Sequence, residues 1–366
     1  MEFFATAAFG LEGLVKRELI RLGFEARAET GGARFHTDMP GAFKANLWLA
    51  CADRVMWVVA EAEILTFDAL FELVRSIPWE DVLPENAAFP VSGHCARSQL
   101  MSVSDCQKIV KKALVERLKQ RYETDWFPET GAIFPVAATI SRNIARIAID
   151  TSGDALNRRG FRTYVGEAPL RETLAAAMLR LSGWDMKRPL HDPCCGSGTL
   201  LLEAAFLASR RASGLSRLFS MESWPTSASQ AFHNLREEAR ALHQTGKLPP
   251  ISGSDINPEA LDLSRKHLRQ AGLDGVVSVY PANLYQLRLN ADRPFFIANP
   301  PYGERLGDKK AADQLAAGFG DLMSRHPGAS LAVITANPNF ERMMKRKAKS
   351  RRRLYNGRLE CEIMMF

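Results

Sequence analysis

Three apolar runs in the second half of the chain each stop at a polar turn. They read PLHDPCCGSGTLLLEAAFLA, ISGSDINPEALDLSRKHLRQAGL and FFIANPPYG, and the first two turns open helix-like patterns. VSVYPANLYQL and SLAVITANP add two more short strands, and ETLAAAMLRLSGW adds a helix before them. Buried strands alternating with helices predict a mostly parallel, doubly wound sheet, an α/β Rossmann-like unit over residues 169–366. Ligands of such sheets gather beyond the carboxyl ends of the strands. The polar turns all fall at those ends.

The stretch before this unit has a different pattern. Residues 156–168 overlap the Gly- and Arg-rich NRRGFRTYVGEAPL and read as a linker. Upstream, strands and helices mix as in α+β modules. EFFATAA and residues 33–37 read as strands, and LEGLVKRELIRLGF as a helix. FDALFELVRSIPW and QKIVKKALVERLKQRY read as helices, and FPVAATISRNIARIAIDTS as paired strands. No catalytic constellation stands out there. Residues 209–250 are polar and helix-like, and interrupt the alternation as an insertion or extended crossover.

Composition excludes several classes. Hydrophobic residues make up 46% of the 366 and charged residues 24%, an ordinary globular balance. The longest apolar candidate, LWLACADRVMWVVAEAEIL, is broken by Asp53 and Arg54 and falls short of the roughly 20 residues a membrane span needs. The N-terminus lacks the basic start of a signal peptide, so a cytoplasmic protein without a membrane partner is expected. Six cysteines without C-x-x-C spacing and seven histidines without H-E-x-x-H give neither a zinc pattern nor a disulfide framework. No metal is expected, and the thiols should be reduced.

The net charge of +7 is concentrated in one place. Arg342, Lys345, Arg346, Lys347, Lys349, Arg351, Arg352, Arg353 and Arg358 follow one another with no acid between them, which leaves the remainder near neutral. A single basic ridge fits a polyanionic partner, against the plainer alternative of a solvated face.

The chemistry begins at Asp192–Thr199, DPCCGSGT. Gly196 and Gly198 allow a tight turn and close backbone approach, and the helix that follows favours an anionic group at its N-terminus. No Lys follows, so this is not a P-loop. Leu201 stands where a dinucleotide fingerprint needs its third glycine. Asp192 before the turn suits an amine-bearing or cationic ligand. S-adenosylmethionine carries a sulfonium, an amine and a carboxylate, and no phosphate. Asp192 can accept from its amine, the N–H groups of residues 196–199 can hold its carboxylate, and Asp255 at the next strand tip can accept from its ribose.

Asn299 precedes Pro300 and Pro301. Each proline forces the residue before it into an extended conformation, and neither has an N–H. The Asn299 amide oxygen and the Pro300 carbonyl can therefore accept both hydrogens of one NH₂ group. That orients a poorly nucleophilic exocyclic amine towards a methyl donor and stabilises charge as conjugation is lost. Tyr302 is placed to stack on an extruded base, at about 1–3 kcal/mol per stack.

At these residues the chain resembles a known family. DPCCGSGTLLLEAA, GSDINPEAL and NPPYGERL look like class I S-adenosylmethionine-dependent amino-methyltransferases. GLEGLVKREL, IAIDTSGDALNRRGFR, APLRETLAAAMLRLSGW and LYNGRLECEI narrow the likeness to bacterial 23S rRNA guanine-N2 methyltransferases that carry a THUMP domain. The resemblance implies a ferredoxin-like region at 1–60, a THUMP RNA-binding module at 61–155 and a catalytic unit at 169–366. It implies a cofactor site of Pro169, Leu170, Asp192, Pro193, Cys194, Cys195, Gly196, Ser197, Gly198, Thr199, Asp255, Ile256, Asn283, Leu284 and Asn299. Asn299, Pro300, Pro301 and Tyr302 would be catalytic, and Arg346, Lys347, Lys349, Arg351, Arg352 and Arg353 would hold RNA. Some relatives carry a second methyltransferase; with the sequence ending at Phe366, one such unit is expected. The implied substrate is 23S rRNA, free or in an assembling large subunit. The motifs alone leave tRNA guanine-N2 and adenine-N6 methylation open. They also leave a non-catalytic assembly factor, against which the intact motif set argues.

Overall fold

The computed structural model describes every residue except 162–169, 245, 247, 303–307 and 358. Pro169, most of the expected linker and Arg358 therefore lie outside the described residues. The first half runs β1 (Glu2–Thr6), α1 (Glu12–Arg21), β2 (Ala26–Glu29), β3 (Gly32–His36), α2 (Met39–Trp48) and β4 (Arg54–Glu63). It continues with α3 (Phe67–Arg75), β5 (Val91–Ala96), α4 (Val103–Tyr122), β6 (Val136–Ser141) and β7 (Ile144–Asp150). These strands form one seven-stranded sheet, ordered β2-β3-β1-β4-β7-β6-β5, antiparallel except for the β5–β6 pair.

β4 is the strand that unites this sheet. It pairs with β1 from Arg54 to Val58 and with β7 from Met56 to Glu63, with a bulge between Val58 and Ala60. The strands before β4 and those after it therefore share one hydrogen-bonded ladder. In the sequence this run reads only as an interrupted apolar stretch, because its strand character depends on partners at both ends of the half.

The second half runs α5 (Glu172–Leu181), β8 (Leu190–Asp192), α6 (Thr199–Ala208), α7 (Ser229–Leu242), β9 (Ile251–Asp255), α8 (Pro258–Gln270) and β10 (Val277–Pro281). Then come β11 (Phe295–Ala298), α9 (Asp308–Arg325), β12 (Ser330–Thr335), α10 (Phe340–Met344), β13 (Ser350–Asn356) and β14 (Leu359–Met365). The sheet order is β10-β9-β8-β11-β12-β14-β13. It is parallel through β12 and closes with an antiparallel hairpin, so the expected mostly parallel α/β unit is the fold. β8 and β11 are buried at every residue, as strands covered on both faces must be. From β8 the chain winds outward to β9 and β10, then returns to β11 on the other side of β8. The topological switch point, where open α/β sheets bind ligands, thus lies beyond the ends of β8 and β11.

Residues 209–250 pack against the first half. Phe232 of α7 stacks on Phe43 of α2 at 4.7 Å, and Phe219 meets the same ring edge-on at 5.6 Å. Trp224 stacks on Phe134 at 4.6 Å, and its Nε1–H donates to the Ile133 carbonyl at 2.9 Å. The Arg217 guanidinium donates to the carbonyls of Ser152, Asp154, Ala155 and Arg158 at 2.6–3.1 Å. Arg159 and Glu203, both buried, pair at 3.0 Å across the same seam. One continuous apolar core results, drawing side chains from both halves.

Candidate active site

Asp192 closes β8, and its carboxyl is buried, 1% exposed. The Cys194 N–H donates to its Oδ1 at 3.0 Å, the one hydrogen bond it receives from a described residue. Burial, and secondarily the neighbouring Asp255 carboxylate, push its pKa up from an ordinary 3.8 to about 8. A buried carboxyl with so little compensation gains most from a cation placed against it.

The turn after Asp192 is held from the adjacent strand. Asp255 Oδ2 accepts from the Gly196 N–H at 2.9 Å, and Oδ1 accepts from the Asn257 N–H at 2.9 Å. Gly198 has a φ of +81°, and a Cβ there would lie 2.4 Å from Ser264 Oγ of α8, so only glycine fits. Gly253 lets β9 approach the turn: a Cβ would lie 2.6 Å from Leu201 and 2.8 Å from Cys195. His191 braces the floor, its ring nitrogens 2.8 and 3.1 Å from the hydroxyls of Ser252 and Ser254. Burial, aided by His326, lowers its pKa to about 3, so it stays neutral. The Cys194 and Cys195 thiols are pushed well up by burial and by the two aspartates, and stay protonated.

A cavity of about 450 Å³ opens at this point. Leu170, Asp192, Cys194, Cys195, Gly196, Ser197, Thr199 and Asn299, all named from the sequence for a cofactor site, line it. Leu200, Asn257, Glu259, Ala260 and Leu263 line it too, and that reading missed them. Four of these belong to the start of α8, which faces the cavity only because β9 lies beside β8. Pro258 at the first helical position after Asn257 was the available signal. Pro193, Gly198, Asp255 and Ile256 are absent from the lining; Asp255 instead holds the turn, and Ile256 is 74% exposed. Leu284 is buried in a second apolar cluster. Asn283 is exposed, with Oδ1 accepting from the Tyr285 N–H at 3.0 Å.

Asn299 follows β11, the hydrogen-bonded neighbour of β8, and joins the same lining. Pro300 is buried and Pro301 exposed. The half-buried Tyr302 donates its hydroxyl to Asn299 Oδ1. An amide oxygen has two lone pairs, so one remains for a substrate N–H. The switch point therefore brings together a buried carboxyl that calls for a cation and an amide acceptor.

The basic segment lies elsewhere, on α10, the loop after it and β13. Arg346 donates to Ser324 Oγ at 3.2 Å, and Arg351 pairs with Glu341 at 2.9 Å. Arg352 donates to the Gly10 carbonyl at 2.8 Å, and Arg353 pairs with Glu360 at 3.1 Å. Lys347 and Lys349 are exposed.

The chain matches three domain families. The RMKL-like methyltransferase domain matches residues 159–364, the RlmL ferredoxin-like domain 2–56 and the THUMP domain 65–150. YpsC of Bacillus subtilis (strain 168), named provisionally as an RNA methyltransferase, is 37% identical over 364 residues, covering 99% of this chain and 94% of that one. The ribosomal RNA large subunit methyltransferase K/L of Syntrophotalea carbinolica is 34% identical over 382 residues. This chain is covered completely but spans only 53% of that relative. The crystal structure of SMU.472, described as a methyltransferase complexed with SAH, superposes with a TM-score of 0.94 at 36% identity, covering 100% of this chain and 97% of that one. A Listeria monocytogenes protein named for N6-adenine DNA methylation gives 0.94 at 38%, covering 100% and 95%.

Proposed function

The chain belongs to the RMKL-like methyltransferase family, with RlmL ferredoxin-like and THUMP domains before the catalytic one, and from that premise we propose that it methylates the exocyclic N2 amine of a guanosine in 23S rRNA. The observation that carries this reading is the meeting of Asp192 and Asn299 on one cavity at the switch point. S-adenosyl-L-methionine is the methyl donor, and when bound it supplies an electrophilic methyl group on a sulfonium. Asp192, Cys194, Cys195, Gly196, Ser197, Thr199 and Leu170 would hold it, with Asp192 turned to its amine.

Asn299 Oδ1 accepts one hydrogen of the target amine and the Pro300 carbonyl the other. Donation from Tyr302 keeps the amide oxygen on the substrate side, and the ring offers a face to the extruded base. Two fixed acceptors favour the nitrogen as it loses conjugation and gains positive charge. The protonated thiols of Cys194 and Cys195 cannot serve as bases. The product amine, made strongly acidic by the transfer, releases its proton to solvent. The THUMP domain supports RNA as the partner, and the names of the K/L relatives support ribosomal RNA. A cytoplasmic site of action accords with that substrate.

Asn299→Ala should lower turnover about 10²- to 10³-fold, the cost of removing one transition-state hydrogen bond. Cofactor affinity by calorimetry should fall far less than turnover. Near wild-type methylation of rRNA by this variant would end the clamp idea. Adenine-N6 methylation is the second reading, favoured by the name of the Listeria relative. Mass spectrometry of nucleosides from rRNA and tRNA of a deletion strain separates the two. Loss of N2-methylguanosine from rRNA is the expected result, and loss of N6-methyladenosine would reassign the base.

A further inference from the structure

A second cavity, of about 510 Å³, opens where the first half meets the catalytic sheet. It falls in the usual size range of ligand sites. Phe9 from the loop between β1 and α1, Arg97 just past β5, Arg171 and Thr173 at the start of α5, and Tyr355 of β13 line it. Its aromatic wall is built rather than incidental. Arg352 donates to the Gly10 carbonyl, tying β13 to the loop. Gly10, at φ +89°, allows this approach, since a Cβ there would lie 3.0 Å from the Arg353 carbonyl. Phe9 is thereby held against Tyr355 edge-on at 5.7 Å, yet remains 62% exposed. An immobilised, exposed ring is a stacking face awaiting a partner.

The opposite side carries charge. Arg97 and Arg171 are exposed and make no ion pair with a described residue. Asp53, a half-buried carboxyl that accepts from the Thr173 hydroxyl, lies within electrostatic reach of Arg171. The first turn of α5 carries the buried Glu172, so the charge that favours an anion here is that of the two arginines. An aromatic face beside two guanidinium groups matches a nucleotide, base on one side and phosphate on the other.

The position decides which nucleotide. Leu170 lines the methyl-donor cavity, and Arg171, the next residue, lines this one. Successive Cα atoms are about 3.8 Å apart, so the two cavities share a wall. We propose that the seam cavity holds a nucleotide flanking the target on the same RNA strand, its base on Phe9 and its phosphate between Arg97 and Arg171. The inference rests on the reading of RNA as substrate. It adds a subsite that selects substrates in which the neighbour of the target is also unstacked. A single-stranded loop or junction meets that need, and a continuous duplex does not.

The test uses the whole chain and a 5′-fluorescein single-stranded RNA decamer of mixed sequence, read by anisotropy. Phe9→Ala should weaken binding about tenfold, as expected for one base stack. Phe9→Trp, which keeps a ring, should bind as wild type. Arg97→Ala should weaken binding and make the log–log salt slope shallower by about 0.7. Both residues are exposed, so the variants retain the fold. In methylation of rRNA from a deletion strain, Phe9→Ala should raise KM about tenfold with kcat unchanged. Binding of the decamer within twofold of wild type by both Phe9→Ala and Arg97→Ala would overturn the subsite, and so would tryptophan failing to rescue. Normal rRNA methylation with an unchanged KM removes the subsite and keeps the reaction. Phe9-dependent RNA binding without methylation keeps the subsite and removes the reaction.

Discussion

On the proposed reading, Asp192 sets how the cofactor site answers to pH. Its carboxyl is protonated in the empty folded protein up to about pH 8, whereas an unfolded chain would ionise it near 3.8. The folded state thus binds more protons across that window. The group's contribution to stability is present below about pH 4 and is lost as pH rises through about 8. Asp192→Asn cannot ionise. Its Tm should therefore match the wild type at acid pH and exceed it increasingly between pH 5 and 9. A cationic ligand reverses the preference, because it stabilises the carboxylate. Cofactor binding near pH 7 should release a proton, and affinity should rise about tenfold per pH unit below 8. Calorimetry in buffers of different ionisation enthalpy measures both. A wild type whose affinity ignores pH between 6 and 8 would show that Asp192 does not meet the cofactor's charge.

The basic strand illustrates what pairing does to a charge run. Nine cations stand consecutively without an acid, but β14 and α10 bring Glu360, Glu362 and Glu341 alongside Arg353 and Arg351. Arg352 is occupied in docking the strand to the first half. Lys347 and Lys349, on the loop, make no ion pair with a described residue. Their replacement by Ala should change the log–log salt slope for RNA binding by about 0.7 each. Replacing Arg351 and Arg353 should change it by less, since each already has a counter-ion. The reverse order would place β13 in the RNA footprint despite its glutamates. The same contrast explains what could be read from the sequence. β8–α6, β9–α8 and β11 were legible because each is a local apolar run ended by Gly, Asp or Pro. β4, β5, β13 and β14 were not, because their pairing is set by residues far away in the chain. In the site, Asp192, the glycine turn and Asn299 carry their chemistry in adjacent residues. Asn257 and Glu259 acquire theirs only from the order of strands. Asn283, expected beside the cofactor, spends its side chain on its own turn.

At the scale of the molecule, the two sheets share one core rather than meeting at a hinge. The insertion at 209–250, without a role in the sequence, supplies much of the joint through Phe219, Trp224 and Phe232. Phe232→Ala removes a ring stacked on Phe43 at 4.7 Å and should cost about 3–5 kcal/mol. Urea unfolding followed by fluorescence and by circular dichroism should give one coincident transition, displaced but still single in the variant. Two separated transitions in the wild type would mean that the halves unfold independently. A buried ion pair reinforces the joint: Arg159→Met removes the paired cation of Glu203, leaving it only the field of Arg180, and should cost a similar amount, which the same titration would measure.

This joint has a consequence for the choice of target. With α7 and Trp224 cementing the halves, the distance from the THUMP domain to Asn299 is set by the fold, like the jaw setting of a locked caliper. On the proposed function, such an enzyme would gauge its substrate by span: the nucleotide reached would be the one standing at that distance, through folded space, from the part of the RNA held by the THUMP domain.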